Sequence, residues 1–394
     1  MSEMNSAAHI IFWTSVVAVA YAYALYPGLI YCLSRLFGRQ PVAPEVSDAN
    51  LPTVALLIAA HNEESVIERR IASALEMDYP SDRLQIIIAS DASDDRTVEI
   101  ANRFHGRVRV IDYPIRRGKA GTLNSSMLQL SSQIVLLSDA NTWTDPAAAR
   151  NLVRWFVDPK VGAVCGKLIL TDPAGAGNVD GLYWRYETFL KNCEGNLGAL
   201  LGCNGGLCAI RRDAFVPLPP GTIVDDFAIP LLMKLHHDCS IIYDPAAVAH
   251  EETPPQMRQE FHRRVRIGAG GFQAISMLWK LLNPLRGWIA FTFFSHKVMR
   301  WLCPFFMSGA LAAAWLLAGS EVFYRWALFG QLAFYGISLT VGLIPIRILR
   351  PLRLATMFTA INAALLLGFF KWVGGSQRGV WRRTERPSPL LQAA

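Results

Sequence analysis

The sequence lacks several features that would place it in common classes of protein. Charged residues make up only 18% of the 394 residues, whereas hydrophobic residues make up 52%. This composition is too apolar for a typical soluble protein and too charged for a bundle of membrane helices alone. The seven cysteines form no C-x-x-C pair and show no His-paired metal spacing, which argues against a zinc module. Buried or free thiols in a reducing cytosol are the simplest interpretation.

Motifs of several other classes are absent as well. No G-x-G-x-x-G follows the first predicted strand, which argues against a reductase with a nucleotide fold. The net charge of +7 comes largely from Arg and Lys at the edges of apolar segments, not from a basic stripe with interleaved aromatic residues. That placement is typical of a protein oriented on an anionic membrane surface and argues against a nucleic-acid partner. There is no internal repeat and no low-complexity tract.

The first apolar segment, residues 10–33, is long enough to cross a bilayer at about 1.5 Å per residue. No Lys or Arg precedes it, which argues against a cleaved signal peptide, whereas Arg35 and Arg39 follow it. The positive-inside tendency therefore places the N-terminus outside and the next domain in the cytoplasm. We expect residues 1–39 to form an N-terminal transmembrane helix and residues 40–52, rich in Pro and small residues, to form a linker.

Apolar runs of strand length alternate with helical segments from residue 53 to about residue 244. Such uninterrupted apolar strands predict an α/β fold with a mostly parallel sheet that is covered on both faces. In these sheets the ligand binds beyond the carboxyl ends of the strands. The predicted strands are Thr53–Ala60, Leu84–Ala89, Val108–Ile111 and Ile134–Ser138, with helices near Ser65–Leu75 and Val98–Phe104.

The composition changes again after about Gln256, where a basic and then apolar helix is predicted over residues 259–279. Residues 288–301 are apolar on one face and interrupted by polar residues, which favours an amphipathic interface helix, assigned to residues 281–301, over a span. Residues 302–374 contain the C-terminal transmembrane helices, and a basic tail follows. The candidate spans are 302–319, 323–344 and 354–370, and the tail is 375–394.

Three polar clusters directly follow predicted strands, where ligands bind in such a sheet, and a fourth lies further along the chain. Each alone has an ordinary explanation, because Asp, Asn and Ser form turns and cap helices. Acidic side chains gathered on one rim repel one another, however, unless a cation or hydrogen-bond donors hold them. A divalent metal with oxygen ligands would relieve this repulsion and would also bind a diphosphate. The clusters are His61–Glu64, Ser90–Asp95, Asp139–Asn141 and Val224–Phe227.

Seven motifs in unbroken order resemble those of glycosyltransferase family 2: AAHNEE, SDASDD, GKAGTLN, SDAN, NGGLCAIRR, VDDF and RRVRI. The resemblance covers about residues 51–280 and is closest to the membrane-bound synthases of chitin oligosaccharide, hyaluronan, poly-N-acetylglucosamine and cellulose. It implies a nucleotide-sugar-binding GT-A domain over residues 53–280, which agrees with the strand pattern. It also implies a multi-pass protein of the bacterial inner membrane with a cytoplasmic catalytic domain.

The resemblance implies the catalytic and metal-binding residues. Asp226 stands at the position of the general base, with Asp225 beside it. Asp139 and Asn141 stand where the family often has Asp-x-Asp, and they would bind Mg²⁺ or Mn²⁺. Because an amide brings no charge, Asp139 is expected to be the main protein ligand, with donor phosphates and water completing the shell. The mechanism needs no covalent intermediate, so the lack of a Ser-His-Asp or Cys-His constellation is expected.

The resemblance also implies a donor site. Arg266 is retained where the family has Gln-x-x-Arg-Trp and would contact the diphosphate. Ile267 replaces the Trp, which puts the stacking floor for an acceptor sugar in doubt. The sequence Trp381–Arg386 resembles the gating segment that closes over the donor in hyaluronan-type synthases. The residues expected at the nucleotide are Asn62, Glu63, Asp91, Asp95, Lys119, Arg264, Trp381 and Arg386.

The expected function is inverting, metal-dependent transfer from a UDP-sugar to a growing polysaccharide or oligosaccharide, coupled to export. The alternative is a single transfer to a membrane lipid, as in ceramide and hopanoid glucosyltransferases, which the altered RRVRI motif supports. A non-catalytic membrane scaffold is a third interpretation, against which Asp91, Asp139 and Asp226 argue. The sequence identifies neither the sugar nor the linkage, the acceptor or the oligomeric state.

The location of the basic tail stays open at this point. One N-terminal and three C-terminal spans would leave the tail outside, against the charge rule and the gating role. If residues 354–370 instead lie in the interface or dip into the bilayer without crossing, the tail returns to the cytoplasm.

Overall fold

The computed structural model describes residues 2–171, 179–252, 257–343 and 353–376. An α/β domain lies between long apolar helices at the two ends of this part of the chain. The strands are β1 Val54–Ala60, β2 Leu84–Asp91, β3 Val108–Tyr113, β4 Ile134–Asp139, β5 Thr142–Thr144, β6 Val161–Thr171, β7 Cys208–Arg211 and β8 Ser240–Glu252. The α-helices are α1 Ser2–Ala20, α2 Tyr26–Phe37, α3 Ile67–Leu75, α4 Thr97–Asn102, α5 Gly118–Met127, α6 Ala148–Val153, α7 Val179–Asn196, α8 Asp225–His237, α9 Met257–Leu278, α10 Trp288–Thr292, α11 Met299–Leu317, α12 Val322–Leu343 and α13 Arg353–Val373.

The strands form one eight-stranded sheet in the order β3-β2-β1-β4-β7-β6-β8-β5. The pairs β1–β2, β1–β4, β2–β3 and β6–β8 are parallel, while β7 and β5 run antiparallel to their neighbours. The prediction of a mostly parallel sheet is therefore confirmed. Since the carboxyl ends of β1, β2 and β4 meet at one edge, the polar residues that follow them lie together.

Polar and apolar residues do not alternate along β1, because both faces of this strand are buried. All seven of its residues are buried, and successive side chains of a strand point to opposite faces. Leu57 joins the core that includes Leu123 and Leu231 on one face, whereas Leu56 joins the core that includes Ile71 on the other. Each fully buried leucine contributes about 1.5–3 kcal/mol of burial free energy, so both helical layers are held on the sheet.

The strand bounds agree with the sequence pattern except at their carboxyl ends. β2 extends to Asp91, which pairs in register with Tyr113 of β3. β4 extends to Asp139, which pairs with Ala59 of β1. Both aspartates were predicted to lie in the following turns. Parallel pairing with a neighbouring strand keeps them extended, so their backbones are held by the sheet while their side chains reach the edge.

Among the described residues, three helices are long and apolar enough to cross a membrane: Glu3–Phe37, Trp288–Leu317 and Arg353–Val373. The prediction of a separate interface helix over 281–301 is wrong, because Trp288–Leu317 is continuous through a π-helical turn. The polar residues that suggested an interface are buried against protein, with Ser295 and His296 each 1% exposed and Arg300 6%. Their polarity therefore reflects internal contacts and not a face turned to water.

The outer helices pack closely on one another and on the catalytic domain. Ala8 and Phe12 of α1 share a buried cluster with Ala310 and Ala314 of α11. α13 crosses α9 at Gly368, where a Cβ atom would lie 2.7 Å from the backbone nitrogen of Ala269 and 2.8 Å from the carbonyl oxygen of Val265. The absence of a side chain at 368 therefore lets the two helix backbones touch, and it ties a candidate membrane span to the catalytic domain.

We predict that Gly368→Val lowers the thermal unfolding temperature of the protein in detergent. A valine there would meet backbone atoms that cannot move aside, and overpacking of this kind is worth about 1–3 kcal/mol. Gly330→Val in α12 is the matched control, since nothing lies within 4 Å of a Cβ at that position. Equal unfolding temperatures for the two variants, followed by tryptophan fluorescence, would show that α13 does not rest on α9 as described.

Candidate active site

The loops after β1 and β2 form one hydrogen-bonded unit at the edge of the sheet. The side-chain carbonyl of Asn62 accepts from the backbone nitrogen of Asp94 at 3.0 Å. The backbone nitrogen of Glu63 donates to Thr97 Oγ1 at 2.8 Å, and Asp95 Oδ1 accepts from the backbone nitrogen of Thr97 at 2.9 Å. The predicted nucleotide-site residues Asn62, Glu63 and Asp95 are thus brought together. Asn62 and Asp95 also hold the two loops against each other.

Asp91, the predicted uracil contact, is buried and fixes the beginning of α5. Its Oδ1 accepts from the backbone nitrogen of Arg117 at 2.6 Å and its Oδ2 from that of Gly118 at 2.9 Å. Gly118 has φ 72°, a conformation that favours glycine. The next residue is Lys119, so Asp91 also fixes the position of the Lys119 backbone. This positioning role was not predicted from the sequence.

Lys119 lies between two carboxylates at the centre of the site. Its Nζ is 2.7 Å from Asp139 Oδ1 and 2.9 Å from Asp225 Oδ2, and its side chain is 21% exposed. Burial alone would lower the pKa of this ammonium, but Asp139 and Asp225 offset burial and raise the pKa above its usual range. Lys119 was predicted to lie near the nucleotide. In the structure its ammonium contacts Asp139, the predicted metal ligand, and Asp225, the residue before the predicted base Asp226.

Asp226 is in the first turn of α8, next to Asp225. Its Oδ1 accepts from the backbone nitrogen of Phe227 at 3.0 Å. Burial, and then the neighbouring carboxylate of Asp225, raise the pKa of Asp226, while Lys119 acts in the opposite direction. Gly205 leaves open the space in front of it, because a Cβ there would lie 3.5 Å from Asp226 Oδ2 and 3.1 Å from Asp139 Oδ2. A small cavity at this point is lined by Lys119, Asn204, Gly205, Cys208, Asp225 and Asp226.

Asn141 does not join these carboxylates. Its amide nitrogen donates to Glu251 Oε1 at 3.0 Å, and Glu251 belongs to β8, which pairs with the strand that follows Asn141. Within the described residues no group of three or more His, Cys, Asp or Glu side chains is placed to hold a metal by itself. The oxygen donors present suit a hard cation such as Mg²⁺ or Mn²⁺. They fit a metal that the donor diphosphate helps to bind, with Asp139 as the protein's charged ligand.

Two arginines of α9, Arg264 and Arg266, contact different partners. Arg266 Nη1 donates to the carbonyl oxygen of Ile223 at 3.5 Å, just before the Asp225–Asp226 pair. Arg264, predicted to contact the nucleotide, has its Nε 2.8 Å from Glu260 Oε1 on its own helix. The structure thus brings Arg266 close to the catalytic pair and gives Arg264 a local partner. The predicted gating residues Trp381 and Arg386 lie outside the described residues.

Arg70 is a buried cation behind the site that the sequence reasoning missed. It is fully buried, and its Nη2 donates to Ser138 Oγ at 3.1 Å, one residue before Asp139. Burial lowers the pKa of Arg70 to about 10, and Asp139 opposes that shift. In the described part of the chain, its Nε and Nη1 have no hydrogen-bond partner. The sequence did contain an indication of this burial, because Arg70 lies on the same face of α3 as the buried residues Ile67, Ile71 and Ala74.

The candidate active site lies directly against the candidate membrane span Trp288–Leu317. The ring of Phe227, the residue after Asp226, is 6.0 Å from that of Phe293 and 5.7 Å from that of Trp301, measured between centroids. α7 is joined to the same helix through buried charges, since Glu187 binds Arg300 and His296 Nδ1 lies 2.6 Å from Glu194 Oε1. The position of the predicted base is therefore fixed relative to a candidate membrane span.

The complete arrangement of domain and outer helices is similar to that of a solved enzyme. A mannosyltransferase from Pyrobaculum calidifontis, solved in complex with GDP-Man and Mn2+, superposes with a TM-score of 0.69. The match covers 92% of this chain and 99% of that chain, at 21% sequence identity. The two proteins therefore share a fold, a GT-A domain with attached helices.

Curated relatives are similar over a large part of the sequence. The beta-monoglucosyldiacylglycerol synthase of Synechocystis sp. is 28% identical over 74% of this chain and 66% of its own length. A poly-beta-1,6-N-acetyl-D-glucosamine synthase of Staphylococcus epidermidis is 28% identical over 56% of this chain and 55% of its own length. The chain thus spans between about half and two thirds of these relatives. Residues 55–216, which include β1, β2, β4 and the loops of the site, match the family model for glycosyl transferase family 2. The predicted resemblance is therefore confirmed for residues 55–216, which form a glycosyltransferase family 2 domain.

Proposed function

We propose that this protein transfers a sugar from a nucleoside-diphosphate donor, with inversion, to a hydroxyl group that is presented at the membrane. The observation that carries the proposal is the meeting of Asp139, Asp225 and Asp226 at the carboxyl edge of the sheet, around Lys119 and an open space at Gly205. Family membership supports the reaction class. The position of the site against the membrane helix supports the location of the acceptor.

Asp226 is the proposed general base. Burial and Asp225 raise the pKa of its carboxyl group, so the carboxylate accepts a proton more readily than an exposed aspartate does. In the transfer, the acceptor oxygen forms a bond to the anomeric carbon, its proton passes to Asp226, and the bond to the nucleoside diphosphate breaks on the opposite side. Mg²⁺ or Mn²⁺, with Asp139 as the protein's charged ligand, would supply charge neutralisation for the leaving diphosphate.

A UDP-sugar is the proposed donor. The SDASDD motif that ends β2 and the adjoining AAHNEE loop resemble the uridine site of the family, and the structure joins them in one unit. Incubating the purified protein with UDP- and GDP-sugars, and measuring release of the nucleoside diphosphate, tests the donor class. Turnover with GDP-mannose and with no UDP-sugar would reject the UDP proposal while leaving the reaction class intact.

A membrane lipid is the proposed acceptor. Phe227 contacts Phe293 and Trp301 of the candidate span Trp288–Leu317, which supports an active site close to the membrane. The relative aligned over 74% of this chain is named for glycolipid synthesis.

A growing polysaccharide is the second candidate acceptor. It is favoured by the retained Arg266 near the catalytic pair and by the relatives named for poly-beta-1,6-N-acetyl-D-glucosamine synthesis. Mass spectrometry of the products distinguishes the two acceptors. A lipid that carries one added sugar supports the first proposal, whereas a ladder of sugar oligomers supports the second.

We predict that Asp226→Asn lowers turnover by about 10²–10⁴-fold, while the affinity for UDP changes little. Removing the proton acceptor raises the barrier without altering the nucleotide site. Asp213→Asn is the matched control, because its side chain is 77% exposed and lies away from the site. UDP binding and turnover are measured on the same preparations. A parallel loss of both quantities would remove Asp226 from the role of base.

We predict that activity requires Mg²⁺ or Mn²⁺ and that Asp139→Ala is more damaging than Asn141→Ala, by on the order of tenfold or more in metal affinity. The carboxylate offsets the charge of the metal, whereas the Asn141 amide is directed to Glu251. Activity is measured across a metal titration for each variant. Full activity in excess chelator would refute the metal requirement.

A further inference from the structure

The charge balance around Lys119 is the starting observation. Asp139, Asp225 and Asp226 bring three carboxylates to one partly enclosed space, and Lys119 places one ammonium among them. Like charges at such distances repel strongly where water is partly excluded. A single bound cation therefore has a large effect on this cluster, and in the described residues Lys119 contacts both Asp139 and Asp225.

The backbone of Lys119 is anchored independently of these carboxylates. Asp91, the last residue of β2, accepts from the backbone nitrogens of Arg117 and Gly118 and so fixes the first turn of α5. The Arg117 guanidinium also donates to Ser125 Oγ at 2.9 Å within the same helix. Among the described residues, the ion pairs that join α5 to Asp139 and Asp225 are made by the flexible side chain of Lys119. Its ammonium can therefore leave the carboxylates without any movement of α5.

We propose that Lys119 is a built-in counter-ion that neutralises Asp139 and Asp225 in the donor-free protein and yields Asp139 to the divalent metal only when the donor diphosphate arrives. The inference rests on the proposed metal-dependent function and extends it to the order of binding. Asp139 Oδ1 is 2.7 Å from the ammonium, so the same oxygen cannot serve a metal at full strength while Lys119 stays. The incoming diphosphate gives the displaced ammonium a new anionic partner.

Coupled binding of metal and nucleotide follows from this exchange. Without nucleotide, the metal must compete for Asp139 with an ammonium that is held by both Asp139 and Asp225, and binding is weak. With nucleotide bound, the metal has Asp139 and the diphosphate as partners, and the Lys119 ammonium also has the diphosphate. By linkage, the metal must strengthen nucleotide binding by the same factor. We expect UDP to raise the affinity for Mn²⁺ by about tenfold or more, within the usual range of couplings between sites.

The decisive variant is Lys119→Met, which keeps the length of the side chain and removes its charge. Free Mn²⁺ is measured by electron paramagnetic resonance during titration of the full chain in detergent, with and without UDP. We expect Lys119→Met to bind Mn²⁺ about tenfold more tightly than the wild type in the absence of UDP, and to lose most of the coupling. Lys119→Arg keeps the charge and should retain weak Mn²⁺ binding without UDP. Lys160→Met, at an exposed position, should behave as the wild type.

The outcomes separate the inference from the proposed function. If the wild type binds no Mn²⁺ even with UDP, the metal-dependent function fails. If the wild type binds Mn²⁺ with UDP but Lys119→Met shows no gain without UDP, the counter-ion role fails and Lys119 is only a contact for the donor. Thermal unfolding, measured with and without Mn²⁺, provides a second test in case the variant folds poorly. Mn²⁺ alone should stabilise Lys119→Met more than the wild type, and an equal effect on both proteins would also overturn the proposal.

Discussion

Repulsion among carboxylates at one edge of the sheet is the constraint on which the site depends. Parallel pairing holds Asp139 at the end of β4, and the first turn of α8 carries Asp225 and Asp226 to the same place. Lys119 offsets part of this charge through two short ion pairs. The fold thus concentrates negative charge at the proposed donor site, and carboxylates in this arrangement favour binding of an anionic diphosphate only together with additional cations.

A second constraint is the contact between the catalytic domain and the membrane helices. Phe227 follows the proposed base and packs against Phe293 and Trp301, while Gly368 allows α13 to touch α9. Because both contacts are close-packed, a shift of the outer helices would move the walls of the active site. The position of Asp226, the proposed base, relative to the candidate spans is therefore a property of side-chain packing.

The sequence predicts the elements that depend on apolar pattern and misses those that depend on a distant partner. β1 to β4 and their helices follow from runs of buried residues, and the acidic clusters follow from their position after those runs. The contacts of Asn141 with Glu251 and of Arg70 with Ser138 join residues 110 and 68 positions apart. No local pattern specifies such pairs. The contacts of Lys119 with Asp139 and Asp225, and of Asp91 with the first turn of α5, were likewise not predicted, because they form only when β2, β4 and α8 are assembled.

The misassigned interface helix shows how a polar residue in an apolar segment should be weighed. Ser295, His296 and Arg300 read as a water-facing stripe when the only alternative considered is lipid. In the folded protein they face Tyr21, Glu194 and Glu187, respectively. Unpaired charges in an apolar setting are so unfavourable that each must find a partner. α7 supplies carboxylates for two of them, and it also carries Lys191, which bonds Asn204 at the edge of the cavity. The polar residues of this candidate span are therefore part of the framework that connects it to the candidate active site.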